Sequence, residues 1–310
     1  MKKLGFGCMR LPLTNPEDPT SVDLKQFCEM IDTFMDNGFT YFDTAYPYHQ
    51  RQSELFVKKA LVERYPRNSF TLADKLPVPF MKTKEDAKRI FDEQLEKCGV
   101  NYFDYYLLHS LNRNHYQTAL KFGCFDFIKK MKEEGRIREI GFSFHDTADI
   151  LDQILTEHPE MDFVQLQINY LDWNSESVQS RLCYETAVKH GKQVVIMEPV
   201  KGGSLVHVPE NIQTKLLNLD GSLSIASWAI RFAASLKNIR VVLSGMSNLE
   251  QLNDNISYMK KFKPLTQEEN FQEKMDAALN NLDAEHTVVF EGTEFLENSS
   301  RQNPSYYETK

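Results

Sequence analysis

The chain has 310 residues, 41% hydrophobic and 26% charged, a composition that allows a large core. Lys and Arg number 36 against 44 Asp and Glu, a net charge of -8, which argues against a main role on nucleic acid, whose phosphates demand cations. No apolar run approaches the roughly 18 residues of a membrane helix, and the five cysteines, Cys8, Cys28, Cys98, Cys124 and Cys183, form no CxxC pair, so we expect free thiols in a cytoplasmic protein without a metal site.

Leu4-Gly5-Phe6-Gly7-Cys8 reads as the first strand. Residues 23–37 follow as a helix, with Leu24, Phe27, Ile31, Phe34 and Met35 on one face, Ser21 or Asp23 as cap and Gly38 as a left-handed stop. Thr40-Tyr41-Phe42 is the next strand, then come a helix near 53–64 and a strand over Phe70-Thr71-Leu72-Ala73. The helix over 84–98 carries Ala87, Ile90, Phe91 and Leu95 on one face, with Thr83 at its N-cap, Asp86 three residues on and Gly99 at its end. A strand from Phe103 to Leu108 precedes the polar stretch Ser110 to Lys121, which reads as a solvated loop. Further strands are expected at Ile140-Gly141-Phe142, Phe163 to Ile168, Val194-Val195-Ile196 and Val241-Val242-Leu243. The matching helices lie near 120–134, 146–157, 175–190, 222–235 and 248–260. Strands apolar on both faces are those of a parallel sheet covered by helices. Eight strand–helix units predict a single-domain (β/α)8 TIM barrel over 1–263, with 264–310 as a weakly ordered tail.

In that architecture chemistry sits at the C-terminal ends of the strands. Asp43, Lys75, His109, Ser143, Gln167, Glu198 and Ser244 all fall there, and Tyr48 stands five residues after Asp43. For any one position a polar loop-edge residue is the simpler explanation, but a carboxylate, an ammonium, an imidazole and a phenol together ask for more. An ammonium beside a phenol favours the phenolate and makes the phenol a better acid. A buried lysine needs a counter-ion to keep its charge, and Asp43 can supply it. His109 can then orient a substrate oxygen. The set suits proton delivery to a carbonyl if a hydride donor is present. Asp74 is a second carboxylate beside Lys75 that competes for its charge. His145 either contacts substrate or caps the helix after it, and Trp173 either walls the substrate or packs over the rim.

The segments Phe42-Asp43-Thr44-Ala45 with Tyr48, Leu72-Ala73-Asp74-Lys75, Tyr106-Leu107-Leu108-His109, Ile140-Gly141-Phe142-Ser143 and Gln167-Ile168-Asn169-Tyr170 resemble the aldo-keto reductase family. So do Pro199 with Gly202-Gly203 and the stretch Ser244 to Asn255, so that the likeness runs from about Leu4 to Asn255. It implies a nicotinamide cofactor, NADP or NAD, bound without a Rossmann fold, a small carbonyl substrate, and a catalytic tetrad of Asp43, Tyr48, Lys75 and His109. It places Met9, Arg10, Ser143, Gln167, Asn169 and Met197 at the cofactor, with Ser143, Gln167 and Asn169 around the nicotinamide amide. The pyrophosphate is expected across Pro199 to Leu205, where Gly202 and Gly203 allow close approach and Lys201 offers charge. The adenosine end is expected on Ser244, Gly245, Met246, Ser247, Gln251 and Asn255. Ser244 to Gln251 contains no cation, so weak discrimination between NADPH and NADH is expected unless Arg240 or Lys237 reaches the 2′-phosphate.

Gly5 to Pro12 and Gly141-Phe142-Ser143-Phe144-His145 are most similar to bacterial members that append an iron–sulfur segment. The chain departs from that branch in opening at the first barrel strand, without the usual N-terminal hairpin. It also has no cysteine after Cys183, so no iron–sulfur cluster is expected. The alternative reading is a nucleotide-binding regulatory or interaction subunit with little turnover, since fold alone does not decide activity. An intact tetrad favours the enzyme.

Overall fold

The computed structural model describes residues 2–265, in which eight parallel strands close into a barrel in sequence order. The strands are β1 Leu4–Gly7, β2 Tyr41–Asp43, β3 Thr71–Leu76, β4 Phe103–Leu111, β5 Ile137–Phe144, β6 Phe163–Gln167, β7 Gln193–Met197 and β8 Ile239–Ser244. Helices cover them outside: α1 Leu24–Asp36, α2 Ser53–Val57, α3 Glu85–Cys98, α4 Arg113–Lys121 and α5 Cys124–Glu133 over the first half. Over the second half lie α6 Ala148–Glu157, α7 Ser180–Lys189, α8 Glu210–Leu219, α9 Ile225–Ser235 and α10 Leu249–Met259. The expected tail after residue 265 lies outside the described residues.

Two apolar layers result from strand alternation. Leu4, Phe6, Phe42, Leu72 and Val242 point outward into the helices, while Tyr41, Ala73, Tyr105, Leu107, Phe163, Val195, Val241 and Leu243 fill the barrel. The rings inside need space, and β1 provides it: a Cβ on Gly5 would lie 2.5 Å from Val241 Cγ1 and 2.8 Å from Leu243 Cδ2. At the N-terminal floor Arg240 pairs with Glu139, whose carboxylate also accepts from Tyr105 Oη at 3.4 Å. The β7–β8 register slips between Val194 and Val195, pairing Val194 with Ile239 and Val195 with Val241, so Arg240 is skipped and its side chain is re-aimed, as bulges do. This floor is the end opposite Ser244, so Arg240 does not serve the adenosine segment.

Local signals account for the helix ends. Asp23 accepts from Gln26 N at 3.0 Å to start α1, and Asn248 accepts from Gln251 N at 2.9 Å to start α10. At α3 the N-cap position falls on Lys84, one residue after the expected Thr83, and the side-chain bond runs the other way. Asp86 Oδ2 accepts from Lys82 N and Thr83 N at 2.9 Å each, so Thr83 donates its main-chain N–H where its hydroxyl was expected to accept. The stretch expected as a loop, Ser110 to Lys121, is mostly α4. Asn112 caps it and Tyr116 and Ala119 bury beneath its polar surface. The helix expected over 120–134 begins only at Cys124, because Gly123 turns the chain at φ 66°. Helix α8 has no counterpart in the sequence-based expectation.

Candidate active site

The ends of β2, β3 and β4 bring Asp43, Lys75 and His109 to one rim. Lys75 is 1% exposed, and its Nζ donates to Asp43 Oδ1 at 2.5 Å and to the Thr44 carbonyl at 2.6 Å. It also lies 3.5 Å from Tyr48 Oη, and the Tyr48 and His109 rings meet edge to face with centroids 6.1 Å apart. All four expected side chains thus converge. Burial by itself lowers the Lys75 pKa, but Asp43 and Tyr48 outweigh it and raise it, so the ammonium keeps its proton. Burial, then Lys75, holds His109 well below the ordinary histidine range, which leaves a neutral imidazole.

Asp74 does not compete for the ammonium. It points to the other face of β3, where Oδ1 accepts the Lys75 main-chain N–H at 2.8 Å and Cys98 Sγ donates to Oδ2 at 3.7 Å. On the same side Gln94 Nε2 donates to the Lys75 carbonyl at 3.1 Å and to Glu54 Oε1 at 3.0 Å. Lys75 is therefore fixed through its main chain from behind as well as by its side chain in front. Burial, then Glu54, raises the Asp74 carboxyl well above its ordinary range.

The expected cofactor residues separate into groups. Ser143 Oγ accepts from Ser110 N at 2.7 Å, beside His109. Gln167 Nε2 and Asn169 Nδ2 both donate to Asp172 Oδ2, at 3.0 and 2.8 Å. Lys201 Nζ, expected at the pyrophosphate, donates to Asp172 Oδ1 at 2.5 Å instead. Met197 ends β7 with Pro199 buried after it, and Gly202 and Gly203 turn left-handed at φ 65° and 104°. Met9 is 52% exposed. Arg10 crosses from β1: a Cβ on Gly202 would meet its Nη2 at 3.1 Å and one on Gly245 its Cδ at 3.2 Å. Ser244 and Asn255 are buried on each other, Asn255 Nδ2 to Ser244 Oγ at 2.7 Å, and the Met246 side chain lies in the core. Gln251 Oε1 accepts from Ser247 N at 2.8 Å.

Sequence reasoning missed Asp172 and Gln165. Gln165 shares the inward face of β6 with Phe163 and Gln167, two residues apart, so alternation alone was a signal for it. It is 2% exposed and its Oε1 has no hydrogen-bond partner. No sequence signal marked Asp172, which matters only through the three side chains that converge on it. His145 is exposed, and Thr147 takes the N-cap position of α6. Trp173 packs against Tyr184 and Phe232, centroids 5.7 and 5.4 Å away. Among the described residues, no three His, Cys, Asp or Glu side chains could together hold a metal ion, and no helix is long and apolar enough to cross a membrane.

Known proteins resemble this chain in sequence and in fold. The chain is 28% identical over 199 residues to a probable aldo-keto reductase of Glycine max, covering 61% of this chain and 54% of that protein, so it matches about half of that relative's length. It is 23% identical over 269 residues to an L-galactose dehydrogenase of Arabidopsis thaliana, covering 78% and 80% of the two chains. A crystal structure of an aldo-keto reductase from Klebsiella pneumoniae in complex with NADPH superposes with a TM-score of 0.69 at 18% identity, covering 89% and 90% of the chains, a likeness of fold. The model of the Aldo/keto reductase family matches residues 3–277, nearly the whole barrel and its rim, and the chain belongs to that family.

Proposed function

We propose that the protein reduces an aldehyde or ketone to an alcohol with NADPH or NADH, or catalyses the reverse. The observation that carries the reading is the Lys75 ammonium held between Asp43 and Tyr48, with His109 across the Tyr48 ring. A bound nicotinamide supplies the hydride. Tyr48 gives its hydroxyl proton to the carbonyl oxygen, and Lys75 stabilises the negative charge left on the phenol. Asp43 keeps Lys75 charged. The neutral His109 imidazole has one N–H with which to orient the carbonyl.

The cleft fits such a cofactor. Gln165 Oε1 is a buried acceptor without a partner, suited to a carboxamide NH2, and the left-handed Gly202-Gly203 turn allows close backbone approach. The NADPH carried by the Klebsiella pneumoniae protein supports the same reading. Fluorescence titration of the purified protein with NADPH and NADH, then absorbance-monitored turnover on a panel of aldehydes and ketones, tests it. Binding of either dinucleotide with turnover of at least one carbonyl is the expected result. Binding without turnover across the panel would favour a regulatory subunit.

A further inference from the structure

Three polar side chains of the cleft end on one carboxylate. Asp172, in the loop after β6, is 4% exposed. Its Oδ2 accepts from Gln167 and Asn169, its Oδ1 accepts from Lys201, and its own N–H donates to Asn169 Oδ1 at 2.9 Å. A side-chain amide has a donor end and an acceptor end, and a carboxylate accepts only. Asp172 therefore settles which way both amides face: the NH2 groups turn toward it, and Gln167 presents Oε1 to the rest of the cleft.

The same carboxylate occupies the one lysine of the glycine turn. The Lys201 side chain is 11% exposed and its ion pair with Asp172 is shielded from water, where such pairs are hard to break. Lys201 also stands left-handed, at φ 47°, next to Gly202, so the pair ties the turn to the end of β6. Glu198, at the end of β7, feels the same carboxylate: burial raises its pKa and Asp172 raises it further, against the pull of Lys201 and Arg10, so a second negative charge is disfavoured beside Asp172. A pyrophosphate entering here meets a lysine whose charge is already balanced.

Building on the dinucleotide reading above, we propose that Asp172 is a positioning residue of the cofactor cleft. It fixes the donor and acceptor faces of Gln167 and Asn169 and keeps the Lys201 ammonium as its own partner, so that recognition comes more from the nicotinamide end than from the pyrophosphate. Calorimetric titration with NADH and with ADP-ribose, the same ligand without its nicotinamide, separates the two effects. In Asp172→Asn, release of the Lys201 charge should tighten ADP-ribose several-fold, while for NADH the loosened amides offset that gain, so that the NADH-to-ADP-ribose affinity ratio falls by the same several-fold factor. The double variant Asp172→Asn/Lys201→Met removes a balanced pair and should bind ADP-ribose within about twofold of wild type. Parallel shifts of both ligands in the single variant, or a loss of about tenfold for ADP-ribose in the double variant, would overturn the proposal. Wild-type protein that binds neither ligand would overturn the cofactor reading and this proposal with it. If wild type binds both and the variants disagree with expectation, only the role of Asp172 falls.

Discussion

Tyr48 stands 3.5 Å from an ammonium that is itself anchored to Asp43 and to a main-chain carbonyl. Replacing the phenol by phenylalanine removes the acid and little else, so Tyr48→Phe should lower kcat by about 10² to 10⁴ while the dinucleotide dissociation constant stays within about twofold. Stopped-flow turnover beside a binding titration checks both halves, and near-wild-type turnover would remove Tyr48 from the mechanism. The next residue, His49, carries a stability prediction. It is 5% exposed, its Nε2 accepts from Leu11 N at 3.3 Å and its Nδ1 faces the Pro19 carbonyl at 2.7 Å. Burial lowers its pKa. The unfolded chain takes up a proton near pH 6.5 that the folded one refuses, so this contribution is fully present above 6.5 and is lost as pH falls toward the depressed folded value. Between pH 7 and 5.5 the wild type should lose more stability in urea than His49→Gln, by up to about 1.4 kcal/mol per pH unit of the window. An equal loss in both proteins would contradict the buried neutral imidazole.

Among the elements, the segment after Tyr48 is the least ordinary. His49, Gln50 and Arg51 are consecutive non-glycine residues in the left-handed region, at φ 49°, 53° and 67°. Each such residue costs about 1 kcal/mol. The turn returns the chain so that Gln52 N and Ser53 N both donate to the Tyr48 carbonyl at 3.2 Å, which fixes where the phenol stands. Gln50→Gly should therefore raise stability by about 0.5–1 kcal/mol, net of the freedom glycine gives up on folding. Arg51→Gly should gain less, because the Arg51 guanidinium lies 5.2 Å from the Tyr46 ring centroid and 5.6 Å from that of Phe80. Chemical denaturation of the two variants separates them, and a more stable Arg51→Gly would refute the stacking argument. Nothing in Tyr48-His49-Gln50-Arg51 announces this turn, since none of the four is a glycine. Asp43 and His109, by contrast, were legible at the rim because apolar runs end directly in them, and Lys75 because only Asp74 separates it from the run that ends at Ala73. Helix α4 was hidden for another reason: its burial rests on Tyr116 and Ala119 alone, beneath a surface as polar as a loop. Asp172 and the bulged Arg240 depend on partners far along the chain, which local periodicity does not register.

Across the whole molecule the two ends of the barrel hold different chemistry. At the rim, Ser244 to Gln251 has no cation, Glu250 is acidic, and Arg240 is held by Glu139 at the floor. Discrimination between NADPH and NADH should accordingly stay below about a hundredfold, or 2.7 kcal/mol, in side-by-side dissociation constants. A much larger preference for NADPH would require a cation from outside that segment. At the floor, the Arg240–Glu139 pair is only partly exposed, with side chains 27% and 31% accessible. Arg240→Met alone strands a carboxylate beside Tyr105 and should cost about 1–3 kcal/mol, whereas Arg240→Met/Glu139→Met should recover most of it. Urea midpoints test this, and equal losses in the single and double variants would show that the pair is not what closes the floor. Arg240 and Ser244 lie on one strand, four residues apart, or about 13 Å. Heat tolerance can therefore be engineered at the floor, by substitutions on β4, β5 and β8, without retuning the pocket above it. The barrel divides durability from turnover along the length of single strands.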